Sequence, residues 1–182
     1  SLLTKVARHL DRVCIPYMLI GGQAVLLYGE PRLTRDVDVT LGIDLEGLPD
    51  LLQVVPEMDL RVLVEDVEQF VGKTWVLPTL DPTTQMRVDF IFSWTDYERQ
   101  AIARARVVDV EGFPVRFATA EDLIIHKIFS GRPRDLEDVR TILLKQDVDI
   151  SEVERWLTAF SQSTGEDFLS LFQAVLKESQ KE

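Results

Sequence analysis

Two aspartates separated by one valine, Asp36-Val37-Asp38, follow shortly after a glycine pair in Leu19-Ile20-Gly21-Gly22. Side chains two apart on an extended strand point to the same face, so Asp36 and Asp38 can hold one cation together. Their hard oxygen atoms suit Mg²⁺, which takes one or two carboxylates plus substrate phosphate. Glycines at a strand–helix junction let the backbone approach phosphate oxygens with no Cβ in the way. The helix that follows adds free amides and the positive end of its dipole. Gly21 and Gly22 are therefore candidate phosphate contacts, and Asp36 and Asp38 candidate metal ligands.

Asp89 is a third candidate. It lies in a β-run with Met86, Val88, Phe90 and Phe92 on one pleat face and Arg87, Asp89 and Ile91 on the other. A charge in such a run is costly unless it is paired or binds metal. If this strand neighbours the one carrying Asp36 and Asp38, three converging carboxylates can hold two ions. That arrangement clamps both the attacking and the leaving oxygen of an in-line displacement. The plainer alternative for Asp89 is an ion pair with a neighbouring arginine. Arg32 and Arg35 likewise either contact a ligand or pair with Asp36 and Asp38.

These residues need elements to position them. Leu2, Leu3, Val6, Leu10 and Val13 recur at helical spacing over residues 2–13, which predicts an amphipathic helix closed by Pro16. Tyr17–Ile20 reads as a buried strand entering a tight turn, and Gln23–Tyr28 as a helix stopped by Gly29. Strands are expected at Val37–Leu41, Thr74–Leu80 and Met86–Phe92, the last two joined by Asp81-Pro82-Thr83-Thr84. Helices are expected at Leu45–Val54 and Thr95–Arg104. Arg106–Val110 and Pro114–Phe117 flank Glu111-Gly112 as a hairpin. Helices then fill the rest: Thr119–Phe129, Arg134–Lys145, Ser151–Phe160 and Glu166–Lys177. Trp156, Phe160, Phe168 and Phe172 fall at helical intervals and read as core packing. Mixed α and β followed by helix alone predicts an α+β fold. The expected division is a core over residues 1–118 and a helical subdomain over 119–182, separate or continuous with the core in one unit.

Composition narrows the partners. The chain has 182 residues, 46% of them hydrophobic, and a formal net charge of −11. That charge argues against a broad groove for duplex DNA, which needs clustered Lys and Arg. No apolar run approaches the roughly 18 residues that span a bilayer, so no membrane partner is expected. Lys5, Arg8 and Asp11 interrupt any signal-like stretch at the start, and the expected location is the cytoplasm. Cys14 is the single cysteine, which fits a reducing compartment; it reads as a small buried apolar residue. With only His9 and His126 beside it, no zinc-type cluster can form. A Gly-x-Gly-x-x-Gly fingerprint, a Gly-x-x-x-x-Gly-Lys phosphate loop and a Gly-x-Ser-x-Gly elbow are all missing from the sequence.

The order hydrophobic-Gly-Gly, a short helix, Gly29-Glu30-Pro31-Arg32-Leu33-Thr34, then Asp36-Val37-Asp38 resembles the polymerase-β-like nucleotidyltransferase superfamily. Within it, the likeness is greatest to the AbiEii-like abortive-infection toxin branch and its uncharacterised relatives. It extends in motif order over about residues 14–140 and is dense over 18–41. Many members have Gly-Ser where this chain has Gly21-Gly22, so a phosphate-touching hydroxyl is missing; Gly-Gly also occurs in the toxin-like and antibiotic-modifying branches.

The resemblance implies a nucleotidyltransferase fold, with a small mixed sheet flanked by helices and a C-terminal helical subdomain. It implies a Mg²⁺-dependent enzyme that moves a nucleoside monophosphate from a nucleoside triphosphate to an acceptor hydroxyl. In that role Asp36 and Asp38 hold the triphosphate-bound Mg²⁺, and Asp89 shares a second ion and acts as general base. The stretch His126 to Asp138 matches the branch's Lys-then-Arg-x-x-Asp pattern. On that likeness Lys127 contacts the triphosphate, with Arg132 and Asp135 as weaker transfers, while Arg32 is a candidate phosphate contact from its own place before Asp36. Asp135 and Asp138 are as well suited to salt bridges with Arg132 or Arg134. The acceptor stays open among tRNA ends, protein hydroxyls and small antibiotics. The alternative is an inactive protein of the same fold that binds nucleotide or a protein partner, such as an antitoxin in a toxin–antitoxin pair.

Overall fold

A computed structural model describes residues 1–181. The chain divides into two units that are discontinuous in sequence. The first comprises residues 1–23 and 33–118; the second comprises 24–32 together with the C-terminal residues from Thr119.

The first unit begins with α1 (Leu2–Arg12), whose Ser1 cap and Thr4 form a reciprocal capping box. Then come β1 (Tyr17–Ile20) and α2 (Gly21–Tyr28), a helix whose residues from Ala24 onward belong to the second unit. β2 (Asp36–Leu41), α3 (Leu48–Val54), β3 (Arg61–Val62) and α4 (Val67–Thr74) follow. β4 (Val76–Leu80), β5 (Arg87–Phe92), α5 (Asp96–Ala103), β6 (Arg106–Val110) and β7 (Phe113–Phe117) complete it. The strands form one mixed seven-stranded sheet in the order β3-β4-β5-β2-β1-β7-β6. This is the mixed α and β architecture that the sequence predicts.

One sheet face is mainly apolar, with Thr79 as a buried polar member. Tyr17 and Leu19 of β1, Val37, Val39 and Leu41 of β2, Leu77 of β4, and Val88, Phe90 and Phe92 of β5 are all at most 2% exposed. Because side chains alternate along a strand, burying this set forces Asp36, Asp38, Arg87 and Asp89 onto the opposite face. Burial of each large apolar side chain contributes about 1.5–3 kcal/mol. The core face therefore determines where the carboxylates point.

The second unit is helical: α6 (Ala120–Ser130), α7 (Pro133–Lys145), α8 (Ile150–Thr164) and α9 (Phe168–Ser179). Of the four aromatic residues read as core, two are enclosed and two, Trp156 and Phe160, are half-buried. Phe168 and Phe172 are buried, and Phe129 stacks on Phe168 with ring centroids 4.4 Å apart. Among the described residues no helix is long and apolar enough to cross a membrane.

The structure differs from expectation at several places in the first unit: β3 lies where no strand is expected, and the strand expected from Thr74 begins at Val76, with Thr74 closing α4. Cys14 is exposed rather than buried. α1 ends at Arg12, and the chain leaves it through Cys14 in the left-handed region, at φ 57°. That turn directs Cys14 outward and hands the buried position to Ile15. A further difference is α4, in a stretch assigned to no element from the sequence although Val67, Phe70 and Val71 fall at i, i+3 and i+4. It starts at Asp66, whose side chain accepts a hydrogen bond from the Gln69 amide.

Candidate active site

The parallel pairing of β2 with β5 sets the geometry. Asp36 stands directly opposite Arg87, and Asp38 directly opposite Asp89. Neighbouring strands lie roughly 4.8 Å apart, so two carboxylates face each other across one ladder step. On the other side β1 runs antiparallel to β2, with Ile20 opposite Asp38. The Gly21 turn therefore begins one residue beyond the position facing Asp38.

Gly21 has two reasons to be glycine. Its φ is +65°, in the left-handed region. A Cβ built there would also stand 2.0 Å from Oδ2 of Asp38. The Asp38 carboxylate thus lies against bare backbone at the start of α2, and Gly22 beside it is buried. The Asp36 carbonyl accepts hydrogen bonds from Thr34 Oγ1 at 3.2 Å and Gln23 Nε2 at 3.5 Å, which hold the strand's entry in place.

Arg87 lies among these acids. Its Nη2 donates to both oxygens of Asp89, at 2.9 and 3.1 Å. The hydrogen bond and charge of Asp89, reinforced by Asp36 and Asp38, push the Arg87 guanidinium above its ordinary value. The neighbouring arginine weighed from sequence as a partner for Asp89 is therefore Arg87. Its signal was its place two residues before Asp89 on the same pleat face. Arg35 is exposed, and its carbonyl accepts the Arg87 amide.

Among the described residues no three acidic, imidazole or thiol side chains gather in a metal-holding group. The expectation of three convergent carboxylates is met only as a shared face. Asp38 and Asp89 are opposite, whereas Asp36 is exposed one step along the strand. The donor set still fits Mg²⁺, which needs only one or two carboxylates beside substrate phosphate.

The second unit holds a separate charge cluster. Lys127 Nζ lies 2.9 Å from Asp135 Oδ1 and 2.9 Å from Asp138 Oδ2. Arg132 Nε donates to Asp135 at 2.7 Å. Arg32 forms a fork on Asp138, at 3.0 and 2.9 Å. Arg32 is thus bound to Asp138 rather than to Asp36 or Asp38, and Lys127 is buried between two carboxylates. The expected salt bridge to Arg132 is present for Asp135, whereas Asp138 pairs with Arg32 and Lys127.

Further contacts tie residues 28–32 to α7. Thr141 Oγ1 accepts the Glu30 amide at 3.3 Å, and Lys145 pairs with Glu30 at 2.6 Å. Gln146 Nε2 donates to the Tyr28 carbonyl at 3.1 Å.

Burial alone would push the Asp135 and Asp138 carboxyls up. The hydrogen bonds and charges of Arg132 and Lys127 on one, and of Arg32 and Lys127 on the other, outweigh it and hold both below the ordinary value. A carboxylate depressed in the folded state stabilises it above the unfolded pKa of about 3.9, and that stabilisation is lost as pH falls through the folded value. The melting temperature followed by circular dichroism is therefore expected to drop as pH falls below about 4. The drop should be shallower in an Asp135→Asn, Asp138→Asn double variant. Identical pH profiles for the two proteins would exclude these carboxylates as its source.

A family profile described as nucleotidyltransferase of unknown function (DUF6036) matches residues 1–169. No curated protein matches the sequence. Among solved structures the chain is similar to the antibiotic-resistance factor ANT(2'')-Ia, at 20% identity and a TM-score of 0.61 over 90% of this chain and 91% of that one. It is also similar to an antigenic nucleotidyltransferase-like protein from Paracoccidioides brasiliensis, at 20% identity and 0.56 over 95% and 91% of the two chains. A third likeness is to the lincosamide antibiotic adenylyltransferase LnuA, at 13% identity and 0.54 over 78% and 94%. At these identities the likenesses show the fold.

Proposed function

The chain belongs to the DUF6036 family of nucleotidyltransferases, and from that premise we propose that it moves a nucleoside monophosphate from a Mg²⁺-bound nucleoside triphosphate to a hydroxyl of a small molecule. The observation that carries this reading is the β2–β5 register that sets Asp38 opposite Asp89. Asp38 and Asp89, with Asp36 at the exposed entry, would hold the ion. When bound, it neutralises phosphate charge and polarises the phosphoryl oxygens. The Gly21 and Gly22 backbone at the start of α2 faces phosphate oxygens.

Asp89 takes the proton from the acceptor hydroxyl as its oxygen attacks the α-phosphorus. The bond from that phosphorus to the bridging oxygen of the β-phosphate breaks, and pyrophosphate leaves.

A small acceptor is favoured over a nucleic acid by charge. A chain of net charge −11 repels a polyanion unless it carries a basic patch. Two of the structural relatives are an antibiotic-resistance factor and an antibiotic adenylyltransferase, which supports the same class of acceptor here. The test uses α-labelled nucleoside triphosphates with Mg²⁺ and two sets of acceptors: hydroxylated small molecules, aminoglycosides and lincosamides among them, and total tRNA. Label is expected on a small molecule, with pyrophosphate released and with transfer abolished by chelation. Label on tRNA alone would overturn the acceptor class. Label nowhere, in the presence of all four triphosphates, would overturn transfer to these acceptors.

A further inference from the structure

Asp89 has two oxygens, and both are taken by one guanidinium, at 2.9 and 3.1 Å. Arg87 stands directly opposite Asp36 in the ladder, so the same side chain borders all three acids of the face. Its own exposure is 50%, against 19% for the Asp89 side chain. The guanidinium therefore has solvent on one side and room to swing, while the carboxylate it holds is largely enclosed. A divalent cation on Asp89 needs at least one of the oxygens that Arg87 occupies. Two cations cannot share that carboxylate at contact distance without strong repulsion.

Building on the proposed transfer reaction, we propose that Arg87 is a resident counter-ion that excludes a divalent cation from Asp89 until a triphosphate arrives to receive the guanidinium. With the acids empty, Arg87 neutralises Asp89. When nucleotide and metal enter together, Nη2 leaves the carboxylate, and the planar guanidinium can then engage phosphate oxygens with two nitrogens. Arg87 is thus a positioning residue, and it makes metal binding and nucleotide binding cooperative. Such a coupling is reciprocal: whatever nucleotide adds to metal affinity, metal adds to nucleotide affinity.

The test measures Mn²⁺ binding by electron paramagnetic resonance in the full chain, alone and with each of the four α,β-methylene nucleoside triphosphates. Arg87→Met is expected to bind Mn²⁺ alone at least about fivefold more tightly than the parent, the lower end of a typical coupling. Its gain on adding the analogue should shrink by the same factor. Arg87→Lys keeps the charge but not the fork, so it should lie between the two. Because the side chain is half-exposed at the start of a strand, both variants are expected to melt close to the parent, and the lysine variant provides the comparison if the methionine variant does not fold. Unchanged Mn²⁺ affinity and unchanged coupling in both variants, with the parent binding Mn²⁺ and analogue, would overturn the counter-ion role alone. If the parent binds no Mn²⁺ with any analogue, the metal-dependent transfer falls, and this role with it.

Discussion

Asparagine at Asp89 is expected to slow nucleotidyl transfer by about 10²–10⁴-fold, the range for removing a positioned general base. Triphosphate binding should survive much better. The substitution keeps the shape of the side chain, removes one charge repelling the phosphates, and leaves Asp38 and Asp36 in place on β2. It also loosens the hold of Arg87 Nη2 on the two oxygens, which adds a cation to the phosphate site. The two quantities to compare are the rate of pyrophosphate release and the dissociation constant of a non-cleavable analogue, on one preparation. Equal losses in both would mean that Asp89 serves binding rather than proton transfer. Loss of folded protein would mean that the Arg87–Asp89 pair is structural, an outcome that the half-exposed Arg87 argues against.

The second large effect is on stability. Lys127→Met leaves two carboxylates, Asp135 and Asp138, with their side chains 3% and 6% exposed and short of one cation. Removing one partner of a buried ion pair costs about 3–5 kcal/mol. In a chain of this size that lowers the melting temperature on the order of 10 °C. Adding Asp135→Asn to the variant should recover part of the loss, because it removes a charge left without its lysine. Arg132, three-quarters exposed, cannot by itself replace the buried ammonium. A Lys127→Met protein that melts like its parent but binds triphosphate more weakly would restore the ligand contact that the family likeness implies for this residue.

The placement of Asp36, Asp38 and Asp89 on one face of the first unit was legible because it rests on local alternation. Val37 and Val39 around Asp38, and Val88 and Phe90 around Asp89, state which way each aspartate points before any partner strand is known. Pairing between β2 and β5 was not legible in this way. It joins distant segments, and nothing local in Asp36–Leu41 says that its parallel neighbour starts at Arg87. The same limit hid the role of Arg87, whose pairing with Asp89 is local but whose place opposite Asp36 depends on the register. α4 escaped notice because Val67, Val71 and Thr74 are β-branched and Gly72 interrupts them, all poor helix formers. Cys14 was misplaced because a buried position and a left-handed turn residue look alike in a one-letter string. For Arg32, sequence proximity suggested Asp36 and Asp38 as partners, yet the bond goes to Asp138.

The bond between Arg32 and Asp138 spans 106 residues of chain, and this separation gives the protein a schedule during its synthesis. A ribosome adding about 5–20 residues per second takes roughly 5–20 s to travel that distance. Throughout that interval Tyr28 to Arg32 have been made while Asp138, Thr141, Lys145 and Gln146, which fasten them, do not yet exist. All seven strands precede Ala118 and can pair before translation ends. The stretch leading into Asp36 is therefore among the last to be secured. A nascent chain stalled before α7 is expected to be cut by protease near Pro31, and a chain extended well past Gln146 to resist that cut.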